Sequence, residues 1–73
     1  MPERYIIVGY AYDEVSFWRG GSTLSASRVV SETMRADGYN TQTIDTRTGR
    51  TAWGVPRGEA DRGWEEIRTY TPV

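Results

Sequence analysis

Seventy-three residues with no cysteine, no histidine and a net charge of −1 leave few chemistries open to this chain. The length is near the lower limit for a domain that folds without help, and the missing cysteine excludes disulfides, thiolate metal sites and thiol chemistry. Nine basic residues, all arginine, are spread along the chain against ten acids, so neither half forms the basic footprint on which strong non-specific nucleic-acid binding depends.

An all-arginine cation set is what codon usage in a GC-rich genome produces, although each guanidinium is also a planar fork suited to carboxylate, phosphate or aromatic partners. No hydrophobic run approaches bilayer length and "MPERY" does not read as a signal peptide. The expectation is one domain over residues 1–73, cytoplasmic, with no membrane partner.

In chain order, "RYIIVGYAY" (4–12) is the clearest strand, rich in β-branched and aromatic residues and free of proline. Alternation puts Tyr5, Ile7, Gly9 and Ala11 on one face and Ile6, Val8, Tyr10 and Tyr12 on the other. Both sets are apolar, which predicts a central strand covered on both sides. "DEVSFWRGGS" then either extends the strand through Val15 and Phe17 or loops Phe17 and Trp18 back against the sheet, until Gly20 and Gly21 interrupt it.

"STLSASRVVSETMRADG" predicts the helix, capped by Ser22 or Thr23. Its expected buried stripe is Ala26, Val29, Val30, Thr33 and Met34, with Arg28, Ser31, Glu32 and Arg35 wet and Arg28 pairing weakly with Glu32. Gly38 stands where a left-handed stop residue belongs, and Tyr39 follows it in position to pack on Met34.

Residues 39–46 read as the next strand, "RTG" as a three-residue turn and 51–55 as the strand after it, ended by Pro56. That turn sets Thr46 opposite Arg50, Ile44 opposite Ala52 and Thr43 opposite Trp53. "PRGEADRG" is a loop, and "WEEIRTYT" alternates as one more strand. The order is β-α-β-β-β, an α+β fold with an antiparallel sheet of three to four strands and one helix on one face. One helix covers one face only. The other face must be wet, be covered by the Trp18 or C-terminal segments, or meet another molecule.

Catalysis finds little to work with. Without His, Cys or Lys the chain lacks the usual general base, thiol nucleophile and Schiff-base amine, and Glu65 and Glu66, adjacent on a strand, point to opposite faces. No cluster of oxygen ligands recurs at metal-loop spacing, so no metal or cofactor is expected and the chain is read as no enzyme. "RGGST" raises an anion site, with Gly20 and Gly21 running into a helix N-terminus beside Arg19. A flexible turn feeding a capped helix is the plainer reading, since no Walker-type lysine follows.

The aromatics, three Trp, five Tyr and one Phe, serve mainly as core in a chain this short, with a few left exposed to meet a partner. Arg47 and Arg50 flank the hairpin tip and can probe an acidic patch, although ordinary solvated charges are the simpler reading. The partner-binding candidates are therefore Arg47, Arg50, Trp53, Tyr12 and Trp18. A protein partner or a homodimer through the open face is favoured. Nucleic-acid binding through the hairpin arginines and exposed aromatics is the alternative.

"YIIV", a capped helix ending "ADGY", and "TIDTRTGRTAW" resemble, over residues 5–55, short β-α-β-β proteins of phages and GC-rich bacteria. The element order is similar to that of some small anti-CRISPR inhibitors, which occlude a nuclease complex without catalysis. The resemblance implies a phage or mobile-element accessory protein. It transfers no functional residue.

Overall fold

The β-branched and aromatic run folds as strand β1 (Tyr5–Ala11) in a computed structural model, which describes residues 3–66. A turn at Tyr12 and Asp13 sends the chain back along it as β2 (Glu14–Gly21), with Ala11 opposite Glu14 and Val8 opposite Phe17. The "DEVSFWRGGS" segment is thus a returning strand rather than an extension of β1 or a loop. Helix α1 (Leu24–Ala36), β3 (Asn40–Asp45), β4 (Arg50–Trp53) and β5 (Glu65–Glu66) follow. The strands form one antiparallel sheet in the order β2-β1-β3-β4-β5. This is the expected small α+β architecture, with the returning β2 bringing the sheet to five strands. Of the strand expected at residues 64–71, β5 covers Glu65–Glu66, and 67–71 lie outside the described residues.

The helix begins and ends as its sequence chemistry dictates. The Thr23 hydroxyl accepts the Ala26 N–H at 3.1 Å, a side-chain cap for an otherwise unpaired donor. At the other end Gly38 adopts φ +94°, its N–H reaching the Arg35 carbonyl at 3.0 Å while the Tyr39 N–H reaches that of Met34 at 3.2 Å. These two bonds make a Schellman stop.

The buried face of the helix differs from the expected stripe. Ser27, Ser31 and Met34 are buried, whereas Ala26, Val29 and Thr33 are exposed and Val30 is half-buried. The cause is close approach to the sheet. A methyl built on Gly9 would collide with Met34 Cε, and one on Gly20 would lie 3.0 Å from Ser27 Oγ. At that separation the helix presents small side chains, and each buried hydroxyl finds a partner. Ser27 Oγ donates to the Gly20 carbonyl at 2.7 Å, and Ser31 and Thr41 share a hydroxyl–hydroxyl bond of 2.6 Å. Arg28, expected wet, is half-buried and donates to the Pro56 carbonyl at 3.4 Å.

The hairpin register is one residue away from expectation. Asp45 faces Arg50, Ile44 faces Thr51 and Thr43 faces Ala52, because the turn runs over Thr46–Gly49. The Gly49 N–H closes it on the Asp45 carbonyl at 2.9 Å. Beyond the helix, the same sheet face is finished by Trp64, which packs with Tyr5 and Ala52, with Leu24 alongside. Among the described residues no helix is long and apolar enough to cross a membrane.

Candidate functional site

Strand register sorts the side chains into two sets. Residues directly opposite in an antiparallel pair share a face. The helix side of the sheet therefore carries Tyr5, Ile7 and Gly9 with their partners Thr41, Thr43 and Asp45, and Arg50 and Ala52 beyond them. Its buried polar members are numerous: Ser27, Ser31, Thr41, Thr43 and Asp45 all lie here. Ile6, Val8 and Tyr10 stand on the opposite side, joined by Val15, Phe17 and Arg19 from β2 and by Gln42 and Ile44 from β3. Thr51, Trp53 and Glu65 complete that side.

Among the described residues no helix covers this second side, and several of its large apolar side chains are exposed. Phe17 is 71% exposed, Trp53 68% and Val15 53%. The Trp53 ring leans on Tyr10, centroids 5.7 Å apart, and the Tyr10 hydroxyl donates to Gln42 Oε1 at 2.8 Å. These exposed aromatic and aliphatic side chains make the second side of the sheet the candidate site. Beside it an open depression of about 400 Å³ is lined by Arg35, Asn40, Thr41, Trp53 and Gly54. No family model, curated protein or solved structure matches the chain. The site is therefore read from its own geometry.

Trp53 lies in the open face. Tyr12 is fully exposed at the β1–β2 turn, and Trp18, 45% exposed, is on the helix side at the β2 edge, paired with Ile7. The structure does not gather these three into one patch. Arg47 is exposed at the hairpin tip, but Arg50 is not a second free probe. Its guanidinium lies 5.4 Å from the centre of the Trp64 ring and donates to the Glu59 carbonyl at 3.1 Å.

The "RGGST" segment does not form an anion cradle. Gly20 and Gly21 belong to β2, where the register shifts by a bulge next to them, and the Gly20 carbonyl is turned to Ser27. Arg19 stands opposite Ile6 on the open face, away from the helix N-terminus.

Asp45 is fully buried at the end of β3, held by Arg4 and by the Arg47 N–H at 3.0 Å. The Arg4 hydrogen bonds keep its carboxyl below the ordinary carboxylate range despite burial, and raise the Arg4 guanidinium in turn. Burial pushes the Tyr5 phenol up. This cluster anchors the hairpin to the start of β1. Its carboxylate is too enclosed and too fully partnered to serve as a base.

Phe17, Val15 and Ile44 are not among the partner-binding candidates read from the sequence, which puts Val15 and Phe17 on an extension of the first strand or folds Phe17 against the sheet. The signal for Val15 and Phe17 was their alternation with Glu14 and Ser16, which puts both on one face of a strand.

Proposed function

We propose that this chain is a non-catalytic protein-binding module whose helix-free sheet face takes up an apolar surface of a protein partner. The observation that carries the reading is the exposure of large apolar groups on the second side of the sheet. The helix side buries Tyr5, Ile7, Met34, Ala52 and Trp64, while Phe17, Trp53 and Val15 stand in solvent on the opposite side. Exposing these groups costs solubility and gains nothing for the isolated fold. Aromatic anchors on a rigid sheet are the side chains that dominate binding energy at protein interfaces. In a phage or mobile-element setting, such a module acts as an inhibitor by covering a host protein's working surface, with no chemistry of its own.

Nucleic-acid binding draws less support. Arg50 is committed to Trp64 and Glu59, and the open face carries Arg19 as its arginine against Glu65, too little positive charge to neutralise several phosphates.

The test is capture from a host extract with tagged wild type, Arg47→Glu, and Phe17→Asp combined with Trp53→Ser. A protein retained by the first two and lost by the third supports the face as the binding surface. Equal retention by all three contradicts it.

A further inference from the structure

Five open-face residues stand in one row across the sheet. Arg19 on β2 faces Ile6 on β1, Ile6 faces Ile44 on β3, Ile44 faces Thr51 on β4, and Thr51 faces Glu65 on β5. The row therefore has a cation at one end, an anion at the other, and two isoleucines and Thr51 between. Both end residues are exposed.

We propose that the open face packs on the same face of a second copy of this chain, about a twofold axis running along the strands. This rests on the reading of that face as an interface and names its occupant. Rotation about such an axis reverses the order of the strands, laying β2 of one copy over β5 of the other. Each Arg19 then meets the second copy's Glu65, twice by symmetry, and Ile44 stacks on Ile44 at the centre. The same reversal lays β4 over β1, so Thr51 of each copy comes over the other's Ile6.

The other in-plane axis, across the strands, keeps β2 over β2 and β5 over β5, so Arg19 never reaches an opposite charge at the far edge. Charge thus selects one of the two arrangements, and opposite charges at the rim serve register more than affinity. Aligned face-to-face packing of two twisted sheets is a common way to build a dry core.

Size is compatible with a dimer. Five strands at ~4.8 Å and about six residues at ~3.3 Å give a face on the order of 450 Å². The projecting rings of Phe17 and Trp53 add to it, and the total stays below the ~800 Å² per partner of an ordinary stable interface, in the range of a weak, concentration-dependent dimer.

Light scattering coupled to size exclusion tests this on the full chain, with circular dichroism to confirm folding of each variant. Wild type is expected to dimerise as concentration rises. Arg19→Glu and Glu65→Arg alone are each expected to raise the dissociation constant about tenfold or more through like-charge contact. The Arg19→Glu/Glu65→Arg double variant is expected to return close to wild type. Phe17→Asp is expected to give a monomer that no charge swap restores.

A wild type that stays monomeric at high concentration overturns the proposal, as does a double variant that dimerises no better than the single ones. If the wild type is monomeric while Phe17→Asp/Trp53→Ser still loses a captured protein, the face binds a different partner and only the self-association fails. If Phe17→Asp changes neither assembly nor capture, the reading of the face fails with it.

Discussion

Arg4 grips Asp45 through two parallel hydrogen bonds, Nε to Oδ1 at 3.0 Å and Nη2 to Oδ2 at 2.8 Å. The carboxylate is fully buried, and its Oδ1 also accepts the Arg47 N–H. A neutral amide of the same shape leaves the guanidinium with Glu59 as its remaining counter-charge and points N–H groups at donors. Asp45→Asn is therefore expected to lower stability by about 2–4 kcal/mol. The readout is a reduced urea midpoint at unchanged slope.

The same contact sets a direction for pH. Asp45 titrates below its ordinary range in the folded chain, chiefly because of Arg4, and Asp61 is likewise held low by the Gly63 and Arg57 N–H groups. A folded-state value below the unfolded one stabilises the fold fully above the unfolded value. That contribution fades as pH falls through the folded value. Unfolding midpoints are expected to hold steady above about pH 5 and to fall below about pH 4. Asp45→Asn is expected to give a shallower acid slope, and a midpoint that rises on acidification would contradict the assignment.

Local chemistry was the legible part of this fold. β1, the Thr23 cap and the Gly38–Tyr39 stop depend on neighbours in sequence and are found where expected. The Tyr12–Asp13 turn was hidden because it contains no glycine, proline or asparagine, so β2 was left undecided between strand and loop. The helix face was misassigned for a tertiary reason: close approach over Gly9 and Gly20 buries Ser27 and Ser31 and excludes Val29. Hydrophobic periodicity cannot register a contact face made of serines. One helix on a two-sided strand left the second face to be wet, covered by the Trp18 or C-terminal segments, or met by another molecule. Which residues occupy that face followed only from the register of β2 and β3.

Ser31 and Thr41 form a buried hydroxyl pair between helix and sheet, 2.6 Å apart. Ser31→Ala strands the Thr41 hydroxyl and is expected to cost about 1–3 kcal/mol. Adding Thr41→Val removes the orphan, so the double variant should recover much of that loss. Strictly additive losses in a double-mutant cycle would show the pair to be uncoupled.

Gly9 lies under Met34 Cε and the Tyr39 ring, whose Cδ1 would be 3.0 Å from an added methyl. Gly9→Ala is expected to destabilise the fold by about 1–3 kcal/mol through overpacking. Because the Met34 methyl is the nearer obstacle, the penalty should shrink in a Met34→Ala background. Thermal melts of the four proteins measure the coupling.

Chemical unfolding of Phe17→Ser/Trp53→Ser in dilute solution tests most directly whether the helix-free face exists to bind rather than to fold. Only the Tyr10–Trp53 contact is lost within the described residues' ring pairs, so stability is expected to drop by less than about 1.5 kcal/mol. Truncating aromatics enclosed by their own chain costs about 3–5 kcal/mol each. A loss of that size would contradict an open, partner-seeking face.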